Sequence, residues 1–169
     1  MKKVYFAVAV AVCVVAGIVA VYFMSPAELT YKIEQKDQRS VLKFYDGDRD
    51  MAHLTVDTLG KKVRFSLWHK EGTVIRSLRI KITPDNPSEV YLMTLPFGWK
   101  PFKFHQGRDG LSSIFESEDL GSEETVTLEF FVVSSNSENV TIYYQVEFVI
   151  EEGLKKFVGK GEGVLKICQ

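Results

Sequence analysis

The sequence predicts an all-β domain, an antiparallel sandwich of two sheets, preceded by one N-terminal transmembrane helix. Three observations carry that reading. An uncharged apolar run extends from Val4 to Met24, hydrophobicity has a period of two from Leu29 to the end, and turn residues fall between the alternating stretches.

With 169 residues, 46% of them hydrophobic and 25% charged, the chain has room for one ordinary domain and an apolar leader. The division is residues 1–27 for the helix and 28–169 for the sandwich. Twelve Phe, seven Tyr and two Trp supply the large apolar side chains that a disordered chain lacks. Setting Lys2 and Lys3 aside leaves 19 basic against 22 acidic residues, without the clustered positive charge that nucleic acid requires. The two cysteines, Cys13 in the apolar run and Cys168 near the end, give the domain no internal disulfide. Its stability must come from packing.

At about 1.5 Å per residue, a helix from Val4 to Met24 is roughly 30 Å long, the thickness of a bilayer's hydrocarbon layer. Lys2 and Lys3 precede it and mixed charge follows, so the N-terminus is expected in the cytoplasm and the domain outside. Tyr5 and Tyr22 near its ends suit the headgroup level, and Pro26 stops the helix. Cleavage after Ser25-Pro26-Ala27 is the competing expectation and would release a secreted protein. Cys13 does not fit a lipid-attachment site, because Val12 stands where a small residue is wanted.

Leu29, Tyr31 and Ile33 alternate with Thr30, Lys32 and Glu34, and similar stretches predict strands at 29–35, 40–46, 52–58, 62–69, 73–82, 89–95, 111–117, 124–133, 139–150 and 156–167. Turns are expected at Asp46-Gly47-Asp48, Leu59-Gly60-Lys61, Pro84 to Pro87, Ser134 to Ser137 and Glu152-Gly153. Half-buried alternation with frequent turns describes antiparallel sheets packed face to face, with a closed barrel as the alternative. In the last strand Phe157, Gly159, Gly161, Gly163, Leu165 and Ile167 share one face. Its glycines are expected to receive rings such as Tyr144 or Phe148 from a neighbouring strand.

Leu78-Arg79-Ile80-Lys81-Ile82, Leu95-Pro96-Phe97-Gly98-Trp99, and the stretch from Leu120 through Gly121 to Phe130 together resemble immunoglobulin-like modules of prokaryotic surface and secreted proteins. The resemblance implies an Ig-like β-sandwich and an adhesive, spacer or scaffold role. It carries no catalytic residue.

Asp46, Asp48, Asp50 and Asp57 imitate calcium-loop spacing and are the candidate metal ligands, although Met51 stands where such a loop needs Gly. A solvated acidic turn is the simpler reading. His53, His69 and His105 are scattered and lack zinc or copper spacing. Ser112 and Ser113 have no base nearby, and Glu116, Glu118 and Asp119 form a commonplace acidic run, so no enzyme activity is expected. Phe97, Trp99, Phe102 and Phe104, in a segment bracketed by Pro96 and Pro101, either close one end of the sandwich or form an exposed contact for a protein or glycan. Asn139-Val140-Thr141 offers a glycosylation acceptor.

The expected function is therefore that of a non-enzymatic, single-pass cell-envelope protein whose domain serves interaction or structural support, without a cofactor. A secreted form, or a calcium- or glycan-binding extracytoplasmic protein, is the alternative.

Overall fold

The computed structural model describes residues 2–36, 38–94, 101–134 and 139–168. A helix, α1 (Lys2–Met24), is followed by β1 (Ala27–Glu28), β2 (Thr30–Lys36), β3 (Arg39–Asp46), β4 (Arg49–Leu59), β5 (Lys62–His69), β6 (Val74–Pro84), β7 (Ser88–Thr94), β8 (Phe102–Gln106), β9 (Ser113–Gly121), β10 (Thr125–Ser134), β11 (Asn139–Glu152) and β12 (Lys155–Cys168). All ten expected strands are present, with ends displaced by no more than four residues. Two strands, β1 and β8, were not expected.

The strands form two six-stranded sheets, β1-β12-β11-β6-β9-β8 and β2-β3-β4-β5-β10-β7. Two separate sheets with four edges exclude the closed barrel. Every pairing is antiparallel except the short parallel contact of β1 with β12. Sequence explains the hairpins locally. Gly47 and Gly153 each sit first in a two-residue loop with φ near +61°. That geometry suits the right-handed twist of the flanking strands and is strained for any side chain.

Alternate residues of each long strand point into one shared core, as in β11, where Val140, Ile142, Tyr144, Val146, Phe148 and Ile150 are all buried. Aromatic rings cross between the layers. Phe44 of β3 meets Phe148 of β11 edge-on at 4.8 Å, Phe65 of β5 meets Tyr144 of β11 at 5.6 Å, and Phe130 of β10 meets Phe115 of β9 at 6.2 Å.

The glycines of β12 make these contacts possible. Gly159 lies directly opposite Phe148 and Gly163 opposite Tyr144, and a methyl group on either glycine would overlap the facing ring. One on Gly161 would strike Leu42, which reaches across from β3. Tyr144 then donates its hydroxyl proton to Ser40 Oγ at 2.6 Å, a bond from one sheet to the other between groups that are 1% and 0% exposed. Burial pushes the Tyr144 phenol up to about 12, with the Ser40 bond pulling the other way, so it remains neutral over the ordinary pH range. Among the described residues no buried side-chain nitrogen or oxygen lacks a partner.

In α1 the described side chains are those of residues 10–21, and Val12, Val15, Ile18 and Val21 are 60 to 65% exposed. Among the described residues no helix is long and apolar enough to cross a membrane. The helix is thus present where a span was expected at Val4 to Met24, but the span itself is not shown.

Gly163→Ala should destabilise the domain by about 1–3 kcal/mol, the usual range for overpacking a filled core. Tyr144→Phe should cost about 1–3 kcal/mol, because Ser40 loses its buried partner. Gly17→Ala, with open space around it, should leave the transition in place. Urea unfolding of the full chain in detergent, followed by tryptophan fluorescence, measures all three. An unshifted Gly163→Ala midpoint would show that the sheets can part at no cost.

Candidate functional site

At one side of the sandwich the two sheets end in β7 and β8, and between these edge strands the core is incompletely covered. The groove there has a volume of about 410 Å³ and is lined by Tyr91, Leu92, Met93, Phe102 and Phe104. Each residue is placed by local structure. Phe102 and Phe104 alternate with Lys103 on β8, so both rings fall on one face, where Phe102 stacks on Phe115 at 6.0 Å and Phe104 tilts against Phe130 at 5.9 Å. Ser117 Oγ donates to the Pro101 carbonyl at 2.7 Å and holds the start of β8 against β9.

On β7 the register slips: Thr94 pairs with Glu129 and Leu92 with Phe130, which leaves Met93 as the extra residue of a β-bulge. A bulge re-aims a side chain and twists an edge away from further pairing. Leu92 consequently packs on the core while Met93 stands out. Tyr91 projects likewise and donates its hydroxyl proton to Glu89, and that bond raises the phenol's pKa. Tyr91, Met93 and Phe102 are 50%, 52% and 42% exposed, a concentration of large apolar surface that a strand edge normally avoids.

Of the four aromatics expected to act together, Phe102 and Phe104 therefore share the groove, one half-open and one packed on the core. Phe97 and Trp99 lie outside the described residues. Tyr91 and Met93 are additions that the sequence reading missed. Alternation from Phe102 through Lys103 and Phe104 to His105 was the available signal for β8, but Pro96 and Pro101 mark the segment as loop.

The candidate calcium ligands are not brought together. Asp50 and Asp57 are seven positions apart on one extended strand, roughly 23 Å at 3.3 Å per residue. Asp46 is held by Arg49 at 2.8 Å and lies 3.9 Å from Lys155, Asp50 pairs with His53 at 2.6 Å, and Asp57 faces Arg39 on one side and Arg64 on the other. Asp48 is in the turn between β3 and β4. Asp46 is thus already paired with cations of the chain, and no group of three or more His, Cys, Asp or Glu among the described residues could hold a metal ion.

The three histidines also lie apart. His53 packs beside Trp68 at 4.9 Å, and His105 is on the β8 edge. His69, 1% exposed, is hydrogen-bonded to Thr73 Oγ1 at 2.7 Å and to the Glu123 carbonyl at 2.5 Å, a structural role. Asn139 is exposed at the start of β11.

Ser112 serves a turn. Asp109 accepts hydrogen bonds from the Ser112 N–H at 2.8 Å, the Ser112 hydroxyl at 2.8 Å and the Leu111 N–H at 3.1 Å, with Lys81 Nζ at 3.1 Å. These donors, the Ser112 amide first, hold its carboxyl well below the usual carboxylate range.

The fold and groove define a two-layer β-sandwich with an open apolar edge between β7 and β8. Residues 28–156 match the family described as a domain of unknown function, DUF8121, and the chain belongs to that family. No curated protein matches it. A non-cellulosomal cohesin from the archaeon Archaeoglobus fulgidus is similar in structure at 12% identity and a TM-score of 0.46, over 70% of this chain and 92% of that one. A cohesin module from a Clostridium perfringens family 33 glycoside hydrolase is similar at 15% identity and a TM-score of 0.40, over 70% and 96%. The human F-spondin reeler domain gives 9% identity and a TM-score of 0.38, over 86% and 90%.

Two predictions test these assignments. Because Asp109 is held below its unfolded pKa, its contribution is complete above that value and is lost as pH falls toward the folded one. Asp109→Asn should therefore melt below wild type at pH 7, and the gap should narrow steadily between about pH 5 and pH 2. Differential scanning calorimetry across that range reads the convergence. In the same instrument, millimolar calcium or chelator should leave the melting temperature unchanged, whereas a clear rise with calcium would mean that Asp46, Asp48 and Asp50 rearrange around a cation.

Proposed function

We propose that the chain is a non-enzymatic interaction protein, tethered by α1 to a membrane, whose seam between β7 and β8 binds an extended segment of a partner protein. The observation that carries this reading is the exposure of Tyr91, Met93 and Phe102 beside two strand edges that have no partner strand among the described residues. An extended polypeptide answers both features, since its backbone can continue a sheet while alternate apolar side chains enter the groove. A folded, flat partner would leave the edge N–H and C=O groups without strand partners.

Support for the tether is physical. Burying each exposed Val or Ile side chain of α1 gains about 1.5–3 kcal/mol, and every described side chain of residues 10–21 is uncharged and exposed. Lys2 and Lys3 favour a cytoplasmic N-terminus and an outer domain, where Asn139 would be available as an acceptor. The immunoglobulin-like resemblance and its adhesive role belong to this proposal.

Binding of an array of seven-residue peptides with alternating apolar and polar positions tests it on the full chain in detergent. Peptides should bind wild type, and Phe102→Asp or Met93→Asp should weaken them about tenfold or more, equivalent to about 1.4 kcal/mol. Melting temperatures should stay close to wild type because both side chains are already half exposed. Equal binding by the variants would remove the seam as the contact.

A further inference from the structure

The opposite side of the molecule carries a different kind of edge. Among the described residues strand β2 ends the second sheet and pairs only with β3, and all seven of its residues are exposed. Thr30, Lys32, Glu34 and Lys36 point to its outer side, whereas Tyr31, Ile33 and Gln35 point to the inner. There Tyr31 touches Phe44 with a ring separation of 5.6 Å, and Gln35 donates to the Val164 carbonyl of the other sheet. Tyr31 and Ile33 nevertheless remain 38% and 44% exposed, because no strand lies beyond them.

The charges on this edge are unbalanced within one chain. Lys32 stands directly opposite Lys43 of β3, an unfavourable like-charge pairing, and lies over the Tyr45 ring at 5.6 Å. Glu34 reaches diagonally to Lys43 at 2.8 Å while its side chain stays 66% exposed. Lys32 thus faces a cation, and Glu34 has room for a second one.

We propose that two copies of this chain associate through β2, antiparallel and centred on Ile33, to join their second sheets into one. Among registers that pair at least five residues of β2 in each copy, only that one sets unlike charges opposite each other. Pairing about Ile33 places Lys32 opposite Glu34 of the second copy, Glu34 opposite its Lys32, Tyr31 opposite Gln35, and Ile33 opposite itself. Centring on Lys32 would oppose Lys32 to Lys32, and centring on Glu34 would oppose both Glu34 to Glu34 and Lys32 to Lys36. Shifts by one residue would turn the inner side of one copy against the outer side of the other. In the favoured register the interface obeys two-fold symmetry, and the two Ile33 side chains cover each other at its centre.

The test uses the full chain in detergent, in a Cys13→Ser, Cys168→Ser background. Ile33→Cys should form a disulfide dimer readily, because cross-strand Cβ atoms directly opposite lie about 4.5–5.5 Å apart. Tyr31→Cys alone and Gln35→Cys alone should not, but a mixture of the two should cross-link with each other. In sedimentation equilibrium, Lys32→Glu and Glu34→Lys should each weaken association about tenfold or more, and the double variant should restore it by exchanging the two signs. Circular dichroism melting confirms that each variant is folded. Association indifferent to these charges would belong to α1 or another surface and would overturn the proposal, as would a monomer at a hundred-fold range of concentrations. Loss of peptide binding at Phe102 would leave this result untouched.

Discussion

Two sheets can pack with large rings between them only if some backbone surrenders its side chains, and in this protein β12 does so. Gly159 and Gly163 admit Phe148 and Tyr144 from the adjacent strand, while Gly161 admits Leu42 from the opposite sheet. Tyr144 can then lie flat enough for its hydroxyl to reach Ser40, which converts a nonspecific apolar contact into a directed bond between layers. The other aromatic crossings, Phe44 with Phe148 and Phe65 with Tyr144, depend on the spacing this establishes. With no disulfide in the domain, shape complementarity carries that burden.

A sandwich of this kind has four edges, and their treatment differs. The edge at β1 is only two residues long, too short to template another chain. At β7 a bulge turns Met93 outward, and β8 is five residues with two aromatic rings facing inward. The long edge at β2 is defended by charge alone, and its charges are of both signs. The two sides of the molecule thus present distinct surfaces, one apolar and irregular, the other regular and polar.

Much of this fold was legible because alternation is a direct trace of a two-sided sheet, and it remains legible wherever one side is buried. Strand β11 shows it over its whole length, and the glycine face of β12 pointed to its aromatic neighbours for the same reason. Strand β8 was obscured by Pro96 and Pro101, whose turn signal outweighed the short alternation from Phe102 to His105. The two residues of β1 are too few to show any period. The acidic series failed for another reason: spacing along a chain becomes spacing around an ion only in a loop, and Asp50 and Asp57 lie on a straight strand. Tyr91 and Met93 were invisible as site residues, since a bulge depends on the partner strand and leaves no mark in local sequence.

The outer face of the first sheet carries a row of charges from strand to strand, Lys160, Glu147, Arg79, Glu116 and Lys103, each directly opposite the next. Arg79 and Glu116 approach to 3.3 Å and Lys160 and Glu147 to 3.8 Å. Such a row has a phase. Choosing the sign on one strand fixes the sign on every other, so reversing a single interior charge creates two like-charge contacts at once, whereas inverting the whole row creates none. The row therefore favours parity over identity: single charge reversals along this face are penalised at two contacts, and coordinated reversals at none.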